Sequence, residues 1–142
     1  METLIRQIYA QARLLNACGL FTGKERTLDD IVRLFSSVQG IEFCIKNHFP
    51  NMATFRKFKQ YNVERFGIYI DAGAVTLRNP KKVILIGRTS ATIECDTLER
   101  HEVYLLHGAK AVVNASKWAV VATTVEQGCS IIRNASENAI VL

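Results

Sequence analysis

The sequence predicts an α+β protein, a short N-terminal helical cap followed by a β-solenoid of about four coils. Three observations carry that prediction. Apolar residues in roughly the first sixty positions recur at three- and four-residue steps, the period of a helix with one buried face. From Ile68 onward the period changes: β-branched residues become dense and turn signals return about every ten residues. Finally, "GAKAVVNASKWAVV" from Gly108 and "GCSIIRNASENAIV" from Gly128 align without a gap. Self-similarity near 20 residues with two short strands per unit is the mark of stacked coils.

Taken in order, Leu4, Ile5, Ile8, Ala12 and Leu15 form one apolar stripe, and "CGLFTGKER" with its two glycines ends that helix. Thr27 is placed to cap "LDDIVRLFSSV", with Asp29 and Asp30 in the first turn, where the helix dipole favours carboxylates. Gly40 breaks the pattern. "IEFCIKNHF" continues as a third short helix up to Pro50, and Asn51 can cap "NMATFRKFKQY". The boundary is expected near residue 66, dividing a helical cap (1–66) from a repeat region (67–142); with no Pro/Gly/Ser linker, the two should pack as one unit.

A third copy of the repeat fits from Gly73, "GAVTLRNPKKVILI". Aligned without gaps, the three copies put Leu77, Val112 and Ile132 in one column and Asn79, Asn114 and Asn134 in another. Ile84, Ala119 and Ala139 make a third, and Ile86, Val121 and Val141 a fourth. "ATIECDTLERHEVYLL" supplies a degraded unit between copies. In a solenoid, equivalent positions stack directly, so the asparagines would form a hydrogen-bonded ladder at a corner. Lys117 and Glu137 share an exposed column, and Trp118 points outward. An antiparallel meander is the alternative, but two-residue hairpins favour Asn-Gly or Asp-Gly, and neither occurs at these corners. Lys110 and Arg133 have opposite parity along their strands, which calls for a bulge or bend.

At 142 residues, 49% apolar and 22% charged, the chain is long enough for one buried core and too apolar for disorder. No apolar run reaches the roughly 18 residues that span a bilayer, and the charged amphipathic N-terminus is unlike an export signal. The expectation is therefore a cytoplasmic protein. Cys18, Cys44, Cys95 and Cys129 form no CxxC pair and have apolar neighbours, so they read as reduced, buried thiols. A net charge of +5 is compatible with an acidic partner.

Nothing in the motifs compels chemistry. There is no GxGxxG, P-loop, HExxH or GxSxG. Cys44 and His48 are two ligands at helical spacing, too few for a metal site, and His101 and His107 add no companion motif. Asp71, Glu94, Asp96 and Glu99 lie at or beside expected corners, where carboxylates could serve a hydrolase, but none is singled out as a pair. No catalytic residue, cofactor or metal is assigned. "FRKFKQY" interleaves basic and aromatic residues: Arg56, Lys57 and Lys59 could contact phosphates while Tyr61 stacks on a base. Against this, Phe55 and Phe58 sit three apart and should face the core, leaving an ordinary solvated face.

"GIEFCIKNHFP", "FRKF", "FGIYID" and the coils ending "NASKWAVV" and "NASENAIVL" together resemble a group of uncharacterised proteins of gut Bacteroides and their phages, over most of the chain. That resemblance implies a phage or mobile-element origin and brings no function or site residue with it. The leading expectation is a non-catalytic, self-associating scaffold or protein-interaction module. It would form a homo-oligomer through an open C-terminal coil, with Trp118, Ala139, Val141 and Leu142 as contacts. The alternative is a nucleic-acid-binding accessory protein using the basic helix near residues 56–60.

Overall fold

A computed structural model describes residues 2–15, 25 and 27–142. It divides into two compact units, Met1–Phe58 and Lys59–Leu142. In the first, α1 (Glu2–Leu14) buries Leu4, Ile5, Ile8 and Ala12 as the stripe predicts, while Leu15 lies past its end and is exposed. The glycine-bearing segment expected to end this helix falls, apart from Glu25, outside the described residues, as does Cys18. α2 (Leu28–Phe35) opens with a capping box: Thr27 Oγ1 accepts from the Asp30 N–H (3.2 Å) and Asp30 Oδ2 from the Thr27 N–H (3.1 Å).

The break expected at Gly40 lies earlier, at Ser36–Ser37. Gly40 sits inside the first turn of α3 (Val38–Asn47), and its N–H is taken by the cap Ser37 Oγ at 3.0 Å. α4 (Met52–Phe58) is capped by Asn51, whose Oδ1 accepts from the Thr54 N–H at 2.9 Å. Phe35 and Phe55 meet edge to face at 5.7 Å.

The second unit begins with two short 3₁₀ turns, Lys59–Tyr61 and Val63–Phe66, and continues as strands only. These are β1 (Ile68–Ile70), β2 (Gly73–Arg78), β3 (Lys82–Ile86), β4 (Thr89–Cys95), β5 (Arg100–Leu106), β6 (Lys110–Ala115), β7 (Val120–Val125), β8 (Ser130–Ala135) and β9 (Ile140–Val141). Every strand pairs in parallel with the next but one, giving two sheets, β1-β3-β5-β7-β9 and β2-β4-β6-β8. A chain that returns to the same sheet in the same direction after each circuit is a solenoid, and this one makes about four turns. The meander is excluded because no neighbouring pair is antiparallel.

The register corrects the gap-free alignment of the first copy. Ile68 pairs with Ile84, 16 residues on, whereas Lys82 pairs with Glu102 and Ser90 with Lys110, 20 residues on. The missing four residues lie at the corner between β2 and β3. Arg78 to Lys82 spans four positions, while the equivalent Glu94 to Glu102 spans eight. Leu77 therefore stacks on Ile93, Val113 and Arg133, and the Val112–Ile132 column continues into Thr92 and Thr76. Ile84 stacks on Tyr104 and Thr124 rather than Ala119, and Ile86 on Leu106 rather than Val121. Val121 and Val141 do share a column.

The asparagine ladder is likewise shorter than expected. Asn134 Nδ2 donates to Asn114 Oδ1 and Asn114 Nδ2 to Glu94 Oε1, both at 2.8 Å, and Arg78 occupies the next place in the column. Asn79 is one position out of line and locks the short corner instead. Its Nδ2 donates to Asp96 Oδ1, its Oδ1 accepts from the Asp96 N–H, and both distances are 2.8 Å.

Inward positions of the two sheets meet in an apolar interior: Val83, Leu85, Val103 and Leu105 from one, Ile93 and Val113 from the other. Ala91, Ala111 and Ala115 keep it narrow. His101, fully buried, places Nδ1 at 2.8 Å from the Pro80 carbonyl and Nε2 at 3.3 Å from Thr97 Oγ1, so both ring nitrogens are satisfied. No bulge separates Lys110 from Arg133. The β6–β8 register is unbroken, so Lys110 faces out and Arg133 takes an inward position.

Asp96 gives this corner a pH response. The hydrogen bond from Asn79 holds its carboxyl below the usual carboxylate range, opposed by partial desolvation and helped by Arg78, Lys117 and its own backbone. A depressed folded value means that the ionised form favours the fold. That contribution is fully present above the unfolded pKa and is lost as pH falls through the folded one. The expected result is that Asp96→Asn melts with a flatter dependence on pH across the acid range than the parent, as read from thermal midpoints between neutral pH and pH 3. Superimposable curves would show that the corner does not sense protonation.

Candidate interaction surface

The corner from β6 to β7 and its equivalents in the coils below and above form one ridge. Cys95 pairs with Ala115 and Arg100 with Val120, so Leu98 and Trp118 are equivalent. Ala115 pairs with Ala135 and Val120 with Ile140, which makes Asn138 the next in line. The Trp118 N–H donates to the Glu137 carbonyl at 3.1 Å, holding two successive corners together. Leu98 is 79% exposed, Trp118 60% and Ile140 51%. Two large apolar side chains left in water at successive corners, with Ile140 exposed at the start of β9, are the kind of surface that marks contact with another molecule.

The backbone makes the tryptophan more telling. Lys117 and Trp118 lie at φ 53° and 67°, and Glu137 and Asn138 repeat this at 50° and 65°. The left-handed region suits asparagine; for a bulky side chain it is an outlier costing of order 1 kcal/mol or more. Two successive corners use a pair of left-handed residues, whereas the equivalent Thr97–Leu98 corner uses none, and asparagine fills the second place at 138. Trp118 fills it at a disadvantage and stays 60% exposed.

Of the residues expected to mediate contact, Trp118 and Leu142 are exposed, whereas Ala139 and Val141 pack partly against the solenoid interior. Leu98, Ile132 and Ile140 were not foreseen. Ile140 and Ile132 are outward by strand parity once the register is fixed, and Leu98 is recognisable only through its equivalence with Trp118. Lys117 and Glu137 do occupy one exposed corner column.

The basic segment is arranged less favourably. Phe55 and Phe58 are buried as expected, and Arg56 and Lys57 are exposed on α4. However, Lys57 Nζ donates to Gln7 Oε1 (3.0 Å), Lys59 Nζ donates to the Asp71 carbonyl (2.8 Å), and Tyr61 is half-buried. The carboxylates considered for catalysis have structural partners. Glu94 accepts from Asn114, Asp96 is bound by Asn79 and Arg78, and Asp71 Oδ1 accepts from the Arg88 N–H at 2.7 Å. Glu99 is exposed beside Leu98.

His48 lies one residue past α3 in the left-handed region, so the helical spacing from Cys44 does not carry over to it. Cys44 and Cys95 are buried free thiols, and Cys129 is half-buried. Burial, with help from Glu94 and Asp96, pushes the Cys95 thiol up to about 11, which leaves it a poor nucleophile at neutral pH. Among the described residues, no helix is long and apolar enough to cross a membrane. No family model, curated protein or solved structure matches this chain.

Proposed function

We propose that this protein is a non-catalytic interaction module that associates with a second copy of itself through the Trp118 ridge. The observation that carries this reading is an exposed tryptophan held in a left-handed corner where the next coil uses asparagine. The ridge is also complementary to itself. A two-fold axis passing between the corners at Lys117 and Glu137 brings Lys117 of each copy to Glu137 of the other, and Trp118 over Asn138 and Ile140. An aromatic anchor within an apolar patch, flanked by paired charges, is the usual anatomy of a contact centre. The buried, reduced thiols suit the cytoplasm as the place of action.

Trp118→Asn tests this without damaging the fold, because asparagine already occupies the equivalent position at 138. The variant should match or exceed the parent in stability by about 1 kcal/mol, through relief of the left-handed strain. It should remain a monomer by light scattering at concentrations where the parent's mass rises. A parent that stays monomeric across that range would end the proposal. Nucleic-acid binding through Arg56, Lys57, Lys59 and Tyr61 is the weaker reading, since Lys57 and Lys59 already donate within the chain and Tyr61 is half-buried.

A further inference from the structure

The interior of the solenoid changes character at β7 and β8. One inward column reads Leu77, Ile93, Val113 and then Arg133; the column facing it reads Val83, Val103 and then Thr123. Both switch from apolar to polar at consecutive strands, β7 and β8, and the two polar residues are bonded to each other. Arg133 Nε and Nη2 donate to Thr123 Oγ1 at 3.3 and 3.0 Å, and that hydroxyl donates in turn to the Leu142 carbonyl. Val113 is fully buried, whereas Arg133, one coil on, is exposed.

We propose that Arg133 is a stop built into the interior column, which prevents a coil of a second copy being laid over β8. The physical case is direct. Parallel edge strands offer unpaired main-chain groups, and a flat apolar rung beside them invites indefinite stacking. A guanidinium placed inward stays hydrated only while that rung is open. Covering it removes its water and leaves a neutral threonine hydroxyl as its bonded partner. Lying over Val113, its aliphatic stem covers the apolar rung below while the charged head remains wet. Contact between copies is thereby confined to the lateral ridge; that last step rests on the Trp118 reading, whereas the stop itself does not.

The test uses the full chain in the Trp118→Asn background, where ridge contact is removed. Arg133→Val should convert a monomer into assemblies that grow with concentration, seen as rising mass by light scattering and as thioflavin fluorescence. Arg133→Lys should remain a monomer, because it keeps the inward charge. Circular dichroism on the same samples establishes that the coils are intact. The stop is overturned if folded Arg133→Val stays monomeric, if Arg133→Lys assembles equally, or if assembly appears only with loss of the native spectrum. A monomeric parent with an intact Trp118 would defeat the ridge proposal and leave this result standing.

Discussion

Leu105→Ala should cost about 4 kcal/mol, near the upper end for removing a buried leucine. Leu105 is fully buried near the C-terminal end of β5, in a column between Leu85 and Val125. Two features keep the site from collapsing around the loss. The backbone on either side is fixed by parallel ladders, so the strands cannot draw inward, and the small side chains Ala91, Ala111 and Ala115 have no reach to fill the void. Coils also transmit the lesion, because each is stabilised chiefly by its two neighbours, and a defect in the middle weakens both interfaces. With a urea slope of about 2 kcal/mol/M, the unfolding midpoint should fall by about 2 M at unchanged slope. Glu99→Ala, on an exposed corner, should stay within about 0.5 kcal/mol of the parent. A loss below about 1 kcal/mol for Leu105→Ala would mean that the interior repacks and is not held at fixed width by its ladders.

The solenoid was legible because stacking imposes sameness. Gly108 and Gly128, Asn114 and Asn134, Ala119 and Ala139, and Val121 and Val141 recur at one spacing because each pair occupies one place in successive coils. What misled was the first copy. Its corner is four residues short, so an alignment without gaps is one position out along β2 and five out along β3, and strand parity changes with an odd slip. The same error set Asn79 in a ladder when it locks a corner. It also left Arg133 as an anomaly of parity, although the register makes it an inward charge. The ridge could be read only in part: Trp118 stood out by type, but Leu98 and Ile140 gain meaning only once the register places them beside it. In the helical unit the capping signals at Thr27 and Asn51 were sufficient. Gly40 falls inside α3 and not at a break, because a close approach of backbone, and not helix termination, is what calls for a glycine there.

Its role there is steric, and that gives the second large effect. Replacing a helical glycine by alanine ordinarily gains about 1 kcal/mol from propensity alone. At Gly40 the sign should reverse. A Cβ would lie 2.1 Å from the Leu34 carbonyl oxygen and 3.0 Å from that of Phe35, both backbone atoms of α2 that no rotamer change can move aside. Ser37 ties this junction further, since its Oγ donates to the Leu34 carbonyl (2.7 Å) and accepts from the Gly40 N–H (3.0 Å). Making room for one methyl group therefore means separating the end of α2 from the first turn of α3 and breaking both hydrogen bonds of Ser37. Overpacking of this kind costs about 3 kcal/mol, which outweighs the propensity gain. Gly108 provides the contrast within the same chain: it has open space around its missing side chain and φ at 83°, so Gly108→Ala should cost only the left-handed strain of about 1 kcal/mol. Urea melts followed at 222 nm should thus rank Gly40→Ala well below Gly108→Ala. The reverse order would mean that the α2–α3 junction yields and that backbone conformation, rather than space, decides which glycines this protein requires.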